Sequence, residues 1–327
     1  MNGFTLPAAL RGPFSLLCLL WLAAWPGLAP ASAGVPWPEK TYYRSAEVLG
    51  EQIFYREAGS RQHPTLVLLH GFPASSHTYR ELIPLLSGSY HVIAPDYLGS
   101  GFSARPSPEL APYTFERLAE HVAGLLDVLG IERYSLYMQD FGAPVGYRLL
   151  LRQPGRLQGL IVQNANAYRE GLTPARLAFF KAAHHDRSAA ATQALHRYVS
   201  AEAIRDGQYL RDVQGREQRM SPDTWTHDLA LLEGEAGARI QVQLFQDYWN
   251  NIVDYPRWQA WLREHQPPTL ITWGRHDPAF IAAGATAYLR DVPQAELHLL
   301  DAGHFALEEQ PVEIAQRVRA FLQGLKL

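Results

Sequence analysis

A single cysteine occurs in 327 residues, at position 18. The rest of the chain therefore has no disulfide framework and must be held by its core alone. Charge of one sign is also missing: the formal balance is −3, with no basic stripe, which excludes a nucleic-acid footprint. Long apolar runs are scarce. The longest, from Phe14 to Leu28, is interrupted by Pro26 and is short for a membrane span. Gly99-Ser100-Gly101 has no third glycine at the spacing a dinucleotide loop needs, so no nucleotide cofactor is expected. No metal is expected either. His184-His185-Asp186 are consecutive, and neighbours on a helix point in different directions rather than toward one ion. There is no internal repeat and no low-complexity tract.

The N-terminal run has a context of its own. Arg11 precedes it, and Ala31-Ser32-Ala33 supplies small residues at the cleavage spacing before Gly34. Residues 1–33 read as a secretory signal, with a periplasmic or secreted mature protein that has no further membrane contact. A retained N-terminal anchor is the alternative. Leu17 directly before Cys18 argues against lipoprotein processing.

The remainder is organised around Ser135-Leu136-Tyr137-Met138-Gln139-Asp140-Phe141-Gly142. A β-prone run stops at Asp140, and a helical pattern begins at Gly142. Strand, tight turn and helix put one reactive side chain at the tip of an elbow. A serine there suits acyl transfer. On an sp3 carbon it would form an ether, which water does not readily cleave. An aspartate attacking the same carbon forms an ester, which activated water reopens at the carboxyl carbon. Asp140 thus points to substrates such as epoxides or alkyl halides. Its other reading is a helix cap, favourable at a positive helix N-terminus.

Strands alternate with helices on either side of this elbow. Apolar runs at Thr65–His70, Tyr90–Asp96, Leu157–Gln163, Thr269–Trp273 and Glu296–Leu300 read as buried parallel strands, preceded by two strands within Thr41–Glu57. A helix is expected from about Ser76 to Leu86. Another is capped by Thr114 and ended by Gly130, and a last one starts near Pro311. Residues 168–266 break the rhythm: they are helical and aromatic. The expected architecture is a mostly parallel eight-stranded α/β sheet. Residues 34–167 and 267–327 form its core, and 168–266 form a helical cap inserted after the sixth strand. The cap would lie over the carboxyl ends of the strands, where ligands bind in such sheets.

Two further residues complete a constellation. Asp277 follows one late strand and His304 follows the next. Asp, Asp and His at three strand ends, in that order, serve as nucleophile, orienting acid and water-activating base. The oxyanion donors should be the backbone N–H of Phe141 and that of Phe72, in the loop after His70. Asp96 is read as fixing a turn.

With these motifs the chain resembles the α/β-hydrolase family, in its epoxide hydrolase and haloalkane dehalogenase branch. The resemblance runs over residues 41–327 and rests on His70-Gly71-Phe72-Pro73, Asp96 with Gly99-Ser100-Gly101, Gln139-Asp140-Phe141-Gly142, Asp277 and Gly303-His304. It implies a hydrolase acting through an aspartyl ester; with the N-terminal segment and the aromatic cap, the expected enzyme is exported and acts on small apolar substrates. Dehalogenases of this branch hold the halide with side-chain N–H donors, including a Trp directly after the nucleophile. Phe141 and Phe72 stand at those places and cannot donate. Epoxide hydrolases use cap tyrosines toward the ring oxygen, and Tyr248-Trp249-Asn250 is similar to their tyrosine-bearing motif. Tyr248 is therefore the expected donor, with Tyr168, Tyr198 and Tyr209 as weaker choices for a second. The Trp249 indole is the group that would instead favour a halide. Epoxide opening is the first expectation and carbon–halogen cleavage the alternative. A non-catalytic binding protein on the same fold is a third reading.

Overall fold

The computed structural model describes residues 39–325 except Gln214 and Glu233. The expected signal at 1–33 lies outside the described residues. Eight strands form one sheet: β1 (Tyr42–Val48), β2 (Glu51–Ala58), β3 (Thr65–Leu69), β4 (His91–Pro95), β5 (Tyr134–Gln139), β6 (Leu157–Gln163), β7 (Thr269–Gly274) and β8 (Glu296–Leu300). Their spatial order is β1-β2-β4-β3-β5-β6-β7-β8. β1 pairs with β2, and β2 with β4, antiparallel; every other pairing is parallel. This is the α/β-hydrolase fold read from the sequence.

The central strands are buried on both faces, so their sequences run apolar without alternation. Leu66, Val67, Leu68 and Leu69 of β3 have no exposed surface, nor have Leu136, Tyr137 and Met138 of β5. Each such side chain contributes about 1.5–3 kcal/mol on burial. One face of the sheet is covered by α2 (Phe115–Val128) and α3 (Gly142–Arg152). The other is covered by α1 (Leu82–Leu86) and α11 (Pro311–Gly324). Thr114 caps α2 by accepting from the Arg117 amide, as its sequence position implies. The helix expected over Ser76–Leu86 is broken into a 3-10 turn, Ser76–Tyr79, and the short α1. Pro84 is the physical cause: it has no N–H to donate to Arg80, and its ring opposes that carbonyl.

Between β6 and β7 the chain is helical: α4 (Pro174–His185), α5 (Ala189–Tyr198), α6 (Ala201–Ile204), α7 (Pro222–Leu232) and the long α8 (Glu235–His265). A π-helical turn, Arg205–Tyr209, follows α6 directly. These helices pack over the carboxyl ends of the strands. Phe245 of α8 meets Phe72 at 4.8 Å, ring to ring, and Tyr209 meets Phe305 at 4.3 Å. After β7 come α9 (Ala283–Asp291) and, after β8, α10 (Ala306–Glu309). No helix among the described residues is long and apolar enough to cross a membrane.

Candidate active site

Asp140 sits directly after β5 with φ of +49°, a left-handed conformation that a residue bearing a Cβ adopts only under constraint. The constraint is packing. A Cβ on Gly142 would lie 2.4 Å from the Leu69 carbonyl oxygen, and one on Gly71 would lie 2.4 Å from the Asp140 Cβ. Only glycine lets β3, β5 and the turn approach so closely.

The Asp140 carboxylate is 6% exposed. Its Oδ1 accepts from the Phe72 N–H at 2.7 Å, and the Phe141 N–H also approaches the carboxylate and favours its charged form. Both expected oxyanion donors therefore face the residue they were assigned to. Oδ2 lies 3.6 Å from His304 Nε2. The other imidazole nitrogen, Nδ1, is 2.7 Å from Asp277 Oδ2. Asp140, His304 and Asp277, placed by three different strand ends, form one chain of contacts.

Burial shapes the charges here. It pushes the Asp140 carboxyl above its ordinary value, opposed by His304 and the two amides. Burial alone would lower His304, but Asp277 and Asp140 reverse this, so the imidazole is raised. Asp277 is the opposite case. Burial would raise it, and the His304 charge and hydrogen bond, the Phe280 amide and Asn164 together hold it below the usual carboxylate range. Its Oδ1 accepts from the Ala279 and Phe280 amides at 2.7 and 3.0 Å.

The sequence reading missed several supporting residues. Asn164, with φ of +44° just past β6, donates from Nδ2 to Asp277 Oδ2 at 2.8 Å and accepts from the Gly274 amide. Its place at a strand end was the signal available. Asp212, from the segment between β6 and β7, accepts from the His304 backbone N–H at 2.7 Å. Glu309 of α10 accepts from the Gly303 amide at 2.6 Å and pairs with Arg216. The loop carrying His304 is thus gripped from two sides. Asp96, read as fixing a turn, accepts from the Ser76 and Phe102 amides at 2.7 and 2.8 Å.

A narrow cavity of about 20 Å³ opens onto the carboxylate. Asp140 and His304 line it with the rings of Phe72, Phe141, Phe180 and Phe245. Its other polar groups are Arg176, Tyr198 and Gln208. The two cap residues expected from the sequence, Tyr248 and Trp249, stand outside this lining. On α8 the position turned toward the nucleophile is Phe245. Tyr248, three residues on, is fully buried and stacks on Phe180 at 3.9 Å, and its hydroxyl is engaged with that of Tyr255. Burial pushes that hydroxyl well above its usual pKa. Trp249 lies about 100° further round the helix, beside His185. The tyrosine that reaches the cavity is Tyr198, at the end of α5. His184, which the sequence paired with His185, donates from Nδ1 to the Gln246 backbone carbonyl at 2.9 Å, and no metal-ligand cluster occurs among the described residues.

A nucleophile elbow, two amide donors and an acid–histidine pair at the carboxyl edge of an eight-stranded sheet define a hydrolase site on an α/β scaffold. Residues 64–311 match the family profile described as the alpha/beta hydrolase fold, and the chain belongs to that family. An uncharacterized hydrolase of Saccharomyces cerevisiae is 42% identical over 82% of this chain and 92% of its own length. A haloalkane dehalogenase of Mycolicibacterium paratuberculosis is 29% identical, covering 84% of this chain and 88% of its own. The fold is also similar to that of an epoxide hydrolase from Vigna radiata, with a TM-score of 0.69 at 21% identity, over 87% of this chain and 98% of that one. The chain is an enzyme, a hydrolase, and the non-catalytic reading falls away.

Proposed function

We propose that the enzyme opens small epoxides at an sp3 carbon through a covalent aspartyl ester. Asp140 Oδ2 attacks the carbon while Oδ1 stays on the Phe72 amide. His304, held by Asp277, then takes a proton from water, which attacks the ester carbonyl, and the amides receive the developing oxyanion. Product leaves as a diol.

The observation that carries the choice of epoxide is Tyr198. Its hydroxyl oxygen accepts from Arg176 Nη1 at 2.8 Å, so its own proton is available to a substrate oxygen. An opening epoxide needs that proton, because the alkoxide it would otherwise release is strongly basic. A departing halide needs only donors around it. No tryptophan lines the cavity, and Phe72 and Phe141 offer no side-chain N–H. Carbon–halogen cleavage is the second reading, favoured by the named dehalogenase relative and by the Arg176 cation.

The test compares styrene-oxide-type epoxides with bromoalkanes in wild type, Tyr198→Phe and Tyr248→Phe. Diol formation should exceed bromide release and fall by about a hundredfold in Tyr198→Phe, while Tyr248→Phe changes it by less than about threefold. Bromide release that outpaces diol formation and is indifferent to Tyr198→Phe would establish the halide reading instead. Export is proposed with it: the mature protein should begin at Gly34 by intact mass, and a membrane-bound species retaining residues 1–33 would refute that.

A further inference from the structure

The cavity has a polar end that epoxide opening does not use in full. Arg176, in the first turn of α4, is half-buried while Asp140 is nearly inaccessible, which puts the guanidinium toward the outside and the nucleophile toward the floor. The guanidinium lies against three aromatic rings, Phe179, Phe180 and Tyr198, at 5.7, 5.8 and 6.0 Å. One of its N–H groups goes to Tyr198. Among the described residues no carboxylate pairs with it, although most arginines around the site, such as Arg80 and Arg216, have one. A second observation points the same way. Gln208, in the π-helical turn, is only 6% exposed and lines the same cavity as Arg176, so its side-chain amide is available to what the cavity holds.

We infer that Arg176 and Gln208 form an anchor for an acidic group, so that the substrate is a short epoxide carrying a carboxylate at the end remote from the ring. This rests on the proposed function and narrows its substrate from apolar to amphipathic. The planar fork of Arg176 suits a carboxylate, the rings beside it exclude water from the pair, and the Gln208 amide adds an N–H donor. The phenyl rings nearer Asp140 take the short alkyl segment. Keeping the charge at the outer end also keeps it away from the Asp140 carboxylate, which would repel an acid group bound at the floor. A neutral substrate leaves the guanidinium without a carboxylate partner.

The test uses the whole enzyme and a matched pair, an epoxyalkanoate with a terminal epoxide and its primary amide. Wild type should prefer the acid by at least about tenfold in kcat/KM, chiefly through KM. Arg176→Gln should abolish the preference, Arg176→Lys should keep part of it, and Gln208→Leu should reduce it. Tyr198→Phe should lower both rates and leave the ratio unchanged. In parallel, calorimetry with pentanoate and pentanamide needs no turnover. Pentanoate binding that is lost in Arg176→Gln sustains the anchor even if neither epoxide is opened, in which case only the epoxide reading fails. Equal binding of pentanoate and pentanamide, or an acid preference that survives Arg176→Gln, overturns the anchor even in an enzyme that opens both epoxides.

Discussion

Replacing Asp277 by Asn separates the two halves of the proposed reaction. Asn keeps the shape and an oxygen for the Ala279 and Phe280 amides, so the strand end stays in place. What is lost is the negative charge 2.7 Å from His304 Nδ1. Water attack passes through a state in which the imidazole becomes a cation. With charge centres about 4 Å apart and an effective dielectric constant near ~20, the missing attraction is worth about 4 kcal/mol. That corresponds to about a thousandfold in rate. The Asn amide can also present an N–H to the ring and fix the wrong tautomer, and triads with such a change lose about ten-thousandfold. Attack of Asp140 on carbon needs no proton transfer to His304 and should slow by no more than about tenfold. Rapid quench with a single turnover of epoxide, read by intact mass, should therefore show fast formation of an adduct and its accumulation over minutes to hours. Equal slowing of formation and breakdown would refute the assignment of Asp277 and His304 to the second step alone.

Gly71→Ala places a Cβ 2.4 Å from the Asp140 Cβ and 2.5 Å from Gln139 Oε1, with neither backbone free to retreat. It should cost about 1–3 kcal/mol in stability by denaturant melts, and displacement of the nucleophile should cost about a hundredfold in kcat/KM. The pH dependence has a defined sign. His304 must be neutral to act as base and its pKa is raised, so breakdown of the adduct should be lost as pH falls through that value. Part of the rise comes from the Asp140 charge, which the ester removes. The midpoint for adduct breakdown should then lie below the His304 midpoint of the free enzyme, followed by NMR. A midpoint equal or higher would contradict the coupling.

The sheet and the three reacting side chains were legible because strand ends are marked locally. An apolar run that stops at Asp140, at Gly274-Arg275-His276-Asp277 or at Asp301-Ala302-Gly303-His304 announces both the strand and its edge. In a parallel sheet all such ends lie on one side, so positions far apart in sequence converge. The helices between β6 and β7 carry no comparable mark. Which face of α8 meets the nucleophile depends on how the helix is rotated against Phe72, Phe141 and Phe180. A rotation of one residue, about 100°, exchanges a cavity residue for a buried one. Hence Tyr248 resembled a donor in sequence, while packing turned Phe245 to the cavity and Tyr248 to Tyr255. Arg176, Tyr198 and Gln208 converge from α4, α5 and the π-helical turn with no shared motif. Asp212 is stranger still to sequence reading, since its partner is a backbone amide 92 residues away.

The central claim is the covalent ester on Asp140, and trapping it is the most direct measurement. His304→Gln removes the base and leaves Asp140 with its two amide donors. Incubated with epoxide and digested, this variant should yield a stable mass increase equal to one substrate molecule, located on the peptide that contains Asp140 and absent from the Asp140→Ala, His304→Gln double variant. An unmodified peptide throughout, together with undiminished hydrolysis by Asp140→Ala, would contradict the account.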